Sequence, residues 1–556
     1  MENRRTIKGV ACILVTLAIL LVVFPSDALA WDNVKAHPQI NKLALELFKA
    51  RMQNDTYLQY ASLNGGASGG IAWDPSDGTQ LFQPLEPQPR KEKTVQEWIE
   101  MGGFSGDEPE GPMALRHFYN PTNQQTPWLN DQMWATNFLH IYATTTIGNP
   151  EISLIDWAQD NDQGRVDDYF MPQNYSWKDA IENFKLALAD KQAYNDYYGK
   201  AWRGVGETMH LVADLTLTPH VRNDGHSVQL GDADPLETST TDVHVSTCYS
   251  AAGGWSAPIN YNQDVIAMMR ELATWTNRNF LSKDTIPIAN QTTTANGGPA
   301  FASPTWVGLT ADKSGYIWYT VDGKSVRMAR QSFWYRWGLS KNPNYEIDGK
   351  VLQDQRSLEL PTAIRASEAV IERFLPRFEV KATVTPDANV PGQYNVTGTL
   401  VHHTNAQWPN RLVVRNGAYV VLNGEKTPIK LFAADNLNEF TTTISAPLGG
   451  EVKVMYDLGG YTIESKPLNV GLGIFTFHEV KGANYRITIL SAGQPVMMSG
   501  SLGADGYIRA PINPGKYTAK FDYVTIDNGR ELERTYELPF EVVAGGKNLL
   551  EFQFPK

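Results

Sequence analysis

A helical domain over residues 31–378, followed by two all-β modules at 379–470 and 471–556, is the architecture this chain predicts. Three observations predict it. Apolar residues recur at helical spacing up to about residue 378. After Pro376 the pattern switches to strict alternation broken by frequent turn signals. A length of 556 residues also exceeds one hydrophobic core, since single cores stop growing at roughly 250–300 residues.

The N-terminus reads as a secretory signal over residues 1–30. Arg4, Arg5 and Lys8 precede an apolar stretch of sixteen residues from Gly9 to Phe24, and Ala28-Leu29-Ala30 offers a small-x-small cleavage site. The stretch is shorter than the roughly 20 residues a spanning helix needs. The mature chain is therefore expected to be secreted, beginning at Trp31. Cys12 leaves with the signal and Cys248 stays unpaired, so no intrachain disulfide is available.

The helical elements follow in order. His37–Arg51 carries apolar residues at helical spacing, with Pro38 in its first turn. Ser176 and Asp179 form a capping box opening a helix through residues 183–189. A longer helix runs from about Tyr194 to Leu217 and stops before Pro219. Residues 263–281 form another amphipathic helix, residues 284–304 a long polar loop, and Pro361–Leu375 a last helix with proline at its start. Beyond it, segments such as QYNVTGTLVHH and RLVVRNGAYVVLNGE predict immunoglobulin-like sandwich modules, with a boundary near residues 468–473.

Composition narrows the partners. Hydrophobic content of 42% with 11% aromatics suits packed cores and excludes disorder. The formal charge of −12 gives no general attraction to nucleic acid or anionic lipid.

Chemistry concentrates in the helical domain, where seven of the ten histidines fall between His37 and His244. Imidazole nitrogens beside carboxylate oxygens suit zinc. His210 and Asp214 lie four apart on one helix face, as a shared ion requires, although a surface His–Asp pair would look the same. Glu207 is on that face too, placed to orient a ligating imidazole. His220 follows the break at Thr218-Pro219. His117 sits in the run HFYNP, where core packing is the competing explanation. Asp107 and Glu108 lie ten and nine residues upstream of it, in a Gly/Pro-rich stretch that would ordinarily be solvated.

Trp31 with His37, then HFYNP at 117–121, then HLVADLTLTPH at 210–220, resembles the zinc-dependent phospholipase C family of secreted bacterial enzymes. That family includes the clostridial lecithinase toxins. The resemblance spans residues 31 to about 378, and Asn120 replaces the family aspartate. It implies an all-α zinc phospholipase C/nuclease-like domain holding three zinc ions. One ion would take Asp107, His117, His210 and Asp214. A second would take the Trp31 amine and carbonyl with His37, sharing Asp214. The third would take His220 with His226 and Glu237. There the family's His-x-x-x-Glu spacing is absent, so Asp232 or Asp234 could replace Glu237, and His244 competes with His226. An α-amine titrates near pH 7.7–8.0, so zinc can displace its proton, but only after cleavage has freed Trp31. Asp107 would be the base that activates water. The implied reaction is phospholipid phosphodiester hydrolysis to diacylglycerol and a phosphorylated head group.

The alternative with the same fold is a single-strand-specific zinc nuclease, whose first histidine also follows its tryptophan closely. HFYNP, the acidic charge and the absence of a Gly-Gly-Asn loop oppose it, so no nucleic-acid partner is expected. A surface-binding adhesin with a vestigial metal domain is opposed by the nearly complete ligand set. The β modules are expected to bind a surface or partner of unspecified kind. The aromatic segments Tyr316–Tyr319 and Ser332–Trp337 are assigned to core or domain-interface packing ahead of a lipid interface. His402, His403 and His478 are read as non-catalytic.

Overall fold

A computed structural model describes residues 34–52, 63, 68–74, 90–108, 113–132, 134–146, 151–159, 175–190, 193–226, 232–286, 310–341, 344–387, 390, 392–414, 417–429, 438–446, 450–459, 461–470, 473–478, 485–491, 493–498, 507–512, 515–527, 530–542 and 547–550. The predicted signal segment 1–30, Trp31 and most of the predicted 284–304 loop lie outside these residues. The chain divides into two compact units, and the sequence passes from the first to the second at Pro376–Arg377, with residues 405–409 belonging to the first.

The first unit is built on three buried helices. Ala36–Met52 buries Ala36, Ile40, Ala44 and Phe48, a four-residue repeat that puts all of them on one face. Val95–Ser105 starts at a capping box that the sequence reading passed over: Thr94 Oγ1 accepts from the Glu97 amide at 3.2 Å, and Glu97 accepts from the Thr94 amide at 2.8 Å. Tyr194–Asp214 is buried at every position from Ala201 onward. It lies so close to Val95–Ser105 that a Cβ on Gly102 would stand 2.3 Å from the Gly206 backbone. Only glycine allows that approach. It brings the Gly102–Asp107 segment against His210.

The last helix departs from expectation. It runs Gly349–Phe374, capped by the Asp348 carboxylate on the Lys350 and Val351 amides, so Pro361 lies inside it and does not open it. Val351, Gln355, Leu358 and Leu360 are already buried upstream of the proline, and that packing outweighs the one hydrogen bond proline cannot donate. The Tyr194 helix also ends sooner than expected, at Asp214, before a separate turn of helix at Thr218–Val221.

The first unit is not purely helical. Strands β1 (Ser68–Trp73) and β2 (Arg90–Thr94) pair antiparallel, and β3 (Tyr316–Val321), β4 (Lys324–Gln331) and β5 (Tyr345–Glu346) form a second small sheet. The β3–β4 hairpin closes on Asp322 and Gly323, at φ 48° and 79°. An Asp-Gly pair between alternating segments is a hairpin signal, and the weight given to the aromatic residues around it obscured it.

The second unit is all strand among the described residues. β6 (Arg377–Pro386), β7 (Gln393–His403), β8 (Ala418–Leu422), β9 (Glu425–Ile429), β10 (Glu439–Ser445), β11 (Glu451–Asp457), β12 (Thr462–Glu464) and β13 (Leu468–Asn469) make two sheets, ordered β10-β7-β6 and β12-β11-β8-β9, with β13 also on β11. β14 (Gly473–His478), β15 (Tyr485–Ser491), β16 (Gln494–Met498), β17 (Tyr507–Ile512), β18 (Gly515–Asp527), β19 (Arg530–Val542) and β20 (Lys547–Leu550) make two more, ordered β17-β14-β20 and β16-β15-β18-β19. Every described ladder stays within one of these two strand sets. Among the described residues no helix is long and apolar enough to cross a membrane.

Candidate metal centre

Four separated stretches of the first unit place the donors. His37 stands in the first turn of Ala36–Met52, and Asp107 two residues past the end of Val95–Ser105. His117 ends a short 3-10 turn at Ala114–His117, and His210 and Asp214 close the Tyr194 helix. His220, His226 and Glu237 follow within the next 23 residues. All are buried or nearly so.

The donors converge as three sets: His37, His210 and Asp214; Asp107, His117 and His210; and His220, His226 and Glu237. In the first two, Asp214 lies 3.3 Å from His37 Nε2, 2.6 Å from His117 Nδ1 and 3.3 Å from His210 Nε2. Asp107 Oδ1 stands 3.4 Å from His117 Nε2 and 3.6 Å from His210 Nε2. In the third, Glu237 Oε1 is 2.9 Å from His220 Nε2 and 2.6 Å from His226 Nε2. Donors about 2.0–2.1 Å from a tetrahedral zinc stand about 3.3 Å from one another, so these spacings fall around the cation's own geometry.

Three rings are aimed by backbone carbonyls. Nδ1 of His210 faces the Gly103 oxygen at 2.8 Å, that of His220 the His117 oxygen at 2.8 Å, and that of His226 the Asp224 oxygen at 2.7 Å. A carbonyl can only accept, so each Nδ1 donates a proton to it, and the Nε2 of each ring is turned toward the carboxylates. The HFYNP run contributes twice, since the Phe118 ring also stacks on His220 with centroids 4.6 Å apart. His37 stacks on His210 at 3.8 Å.

The donor set fits a divalent cation on a second ground. His37 Nδ1 and Nε2, Asp107 Oδ2, His117 Nε2 and Asp214 Oδ1 are buried and make no hydrogen bond. Orphaned buried polar atoms are costly, and a cation among them satisfies several together. The electrostatics agree. Burial, followed by repulsion from His210, pulls His37 down to about 4, which keeps that imidazole neutral. Burial opposes ionisation of Asp107, but His210 and His117 overcome it and hold the carboxyl below its ordinary value. Burial likewise opposes the charged forms of Glu237 and His226. Their mutual attraction wins, holding Glu237 near 2 and His226 near 10.

The competing donors stand elsewhere. His244 accepts from the Thr241 amide at 3.2 Å as part of a helix cap. Asp232 pairs with Lys283 at 2.5 Å. Asp234 caps the Pro235–Ser239 helix by accepting from the Leu236 and Glu237 amides. Glu207 does not orient an imidazole. It accepts from Arg203 at 2.8 Å and Ser105 at 2.6 Å, and the Gly103 carbonyl takes the role assigned to it. Asp107 is buried, not solvated, because the Val95 helix carries it inward. Trp31 lies outside the described residues. The aiming carbonyls of Gly103, His117 and Asp224 were missed, and no side-chain pattern could have announced them.

No family model matches the chain, and no curated protein matches it. Among solved structures, "Alpha Toxin from Clostridium Absonum" matches with a TM-score of 0.26 at 11% identity, covering 92% of this chain and 100% of that one. A superposition that loose transfers neither fold nor function.

Proposed function

We propose that this chain is a secreted zinc-dependent phosphodiesterase of the phospholipase C type, cleaving glycerophospholipids to diacylglycerol and a phosphorylated head group. The observation that carries the proposal is the convergence of carbonyl-aimed imidazole Nε2 atoms on three buried carboxylates, Asp107, Asp214 and Glu237. His37, Asp107, His117, His210, Asp214, His220, His226 and Glu237, with the Trp31 terminus, would hold three zinc ions. Zinc held there would supply charge neutralisation for phosphate oxygens and acidify water.

The chain's own contribution is positional and basic. Asp107 is kept ionised by His210 and His117, and its Oδ2 has no hydrogen-bond partner, so that oxygen is available to take a proton from water. Asp214 touches three imidazoles and fixes their separation. The strand order β10-β7-β6 facing β12-β11-β8-β9 is what supports an immunoglobulin-like module after the metal unit.

The nuclease reading keeps one observation in its favour, namely His37 buried in the cage only six residues after Trp31. Zinc analysis of the processed chain, with phosphatidylcholine and single-stranded DNA assayed side by side, decides. About three zinc ions per chain, with lipid turnover, is the expected outcome. DNA turnover alone selects the nuclease, and zinc near zero removes both. Asp107→Asn should cut turnover about 10²–10⁴-fold while leaving the circular dichroism spectrum unchanged.

A further inference from the structure

Of the two aromatic segments, Tyr316–Tyr319 buries Tyr316 and Ile317, whereas Ser332–Trp337 does not pack into a core as the sequence suggested. Phe333 is 46% exposed, Trp334 63%, Trp337 71% and Leu339 65%, all on the short Phe333–Arg336 helix and the turn after it. The three rings cluster, with Phe333 5.6 Å from Trp334 and 5.3 Å from Trp337 between ring centroids. Trp318, on the neighbouring hairpin, is also exposed. Phe333, Trp334 and Trp337 thus form an exposed cluster, not a scatter of single apolar side chains.

The patch is held in place from beneath. The Ser332 amide donates to the Asn344 carbonyl at 2.7 Å, the Trp337 amide to the Phe333 carbonyl at 3.1 Å, and Arg336 pairs with Glu346 at 3.7 Å. The stretch of chain that carries it is net basic. Thr310 to Lys350 carries seven lysines and arginines against four acids, a net +3 on a chain whose total is −12. Lys313, Lys341 and Lys350 are exposed. Indoles with apolar faces and one N–H, beside exposed lysines, match the depth profile of a lipid surface, where rings sit at the head groups and cations meet anionic phosphates. A second copy of this chain would oppose one positive patch with another.

We propose that Trp334, Trp337, Phe333 and Leu339 form a docking site for an anionic phospholipid surface. The site adds to the proposed reaction by bringing the unit to its substrate phase, and it does not depend on the cage.

The test is co-flotation of the full processed chain, on ice, with phosphatidylcholine vesicles made with and without phosphatidylserine. Turnover of a water-soluble choline phosphodiester is measured in parallel. The chain should float, more so with phosphatidylserine, and Trp334→Ala/Trp337→Ala should bind about tenfold or more weakly at unchanged soluble turnover. Trp334→Phe/Trp337→Phe should recover much of the binding. Equal flotation of the alanine variant overturns the proposal. So does a chain that dimerises through this patch and ignores vesicles. Flotation without turnover of any phosphodiester would leave the docking site standing and remove the enzymatic reading.

Discussion

Replacing Gly106 by alanine should weaken metal binding without touching a single donor atom. Gly106 has φ −59° and ψ −31°, so alanine meets no backbone strain there. Its Cβ would stand 2.8 Å from Cγ of His210 and 3.1 Å from both Cβ and Cδ2. The ring cannot yield easily. His37 stacks on it at 3.8 Å, and the Gly103 carbonyl holds Nδ1 at 2.8 Å. Relief requires a shift of several tenths of an ångström, which carries Nε2 away from His117 and Asp214, both now at 3.3 Å. Overpacking of this kind costs about 1–3 kcal/mol of stability. Disturbing the group that orients a ligating imidazole lowers metal affinity about 10–100-fold. Competition against a chromogenic zinc chelator reads the affinity, and thermal melting of the metal-free chain reads the fold. Gly349→Ala, where a Cβ meets nothing within 4 Å, is the matched control and should change neither. Wild-type zinc affinity in Gly106→Ala would refute the placement of His210 between Gly103 and Asp214.

Three further outcomes are expected. His226→Ala should remove one zinc per chain, whereas His244→Ala should remove none, as metal analysis will show. A chain carrying extra residues before Trp31 should lose one zinc and most turnover, and unchanged metal content would exclude Trp31 as a donor. Glu359 is buried, accepts from Thr218 at 2.7 Å, and is pushed by burial from 4.5 up to about 8. A raised carboxyl pKa means the folded chain holds this proton while the unfolded chain releases it, so wild-type stability falls as pH rises from about 4.5 to 8. Glu359→Gln should therefore gain stability over wild type by about 4 kcal/mol at pH 8 and gain nothing below pH 4. Parallel stability curves for the two chains would contradict the buried, protonated carboxyl.

Much of this organisation was legible in the chain. The His37 helix, the Ser176 capping box and the His210–Asp214 pair follow from spacing alone, because a helix repeats every 3.6 residues whatever surrounds it. Burial was harder to read. Asp107 looked solvated in its Gly/Pro-rich stretch, and only the glycine-to-glycine approach at Gly102 and Gly206 explains why it points inward. Residues 316–337 failed in the opposite direction. Dense aromatics suggested a core, yet in the aromatic segments only Tyr316 and Ile317 are buried, while Trp334 and Trp337, at the short helix after the hairpin, are exposed. Pro361 misled because proline is weighed as a local breaker, while the burial of a 26-residue helix is decided by tertiary packing. No rule of spacing chooses between His226 and His244. That choice depends on which ring the Asp224 carbonyl can reach.

The oxygen that steers His220 belongs to His117, and His117 is itself a donor in a different set. Neither imidazole can be re-aimed without moving the peptide that carries the other. Loading one position thus tightens the scaffold of the next, and uptake of successive ions should be cooperative, with partly filled chains scarce at intermediate zinc concentrations.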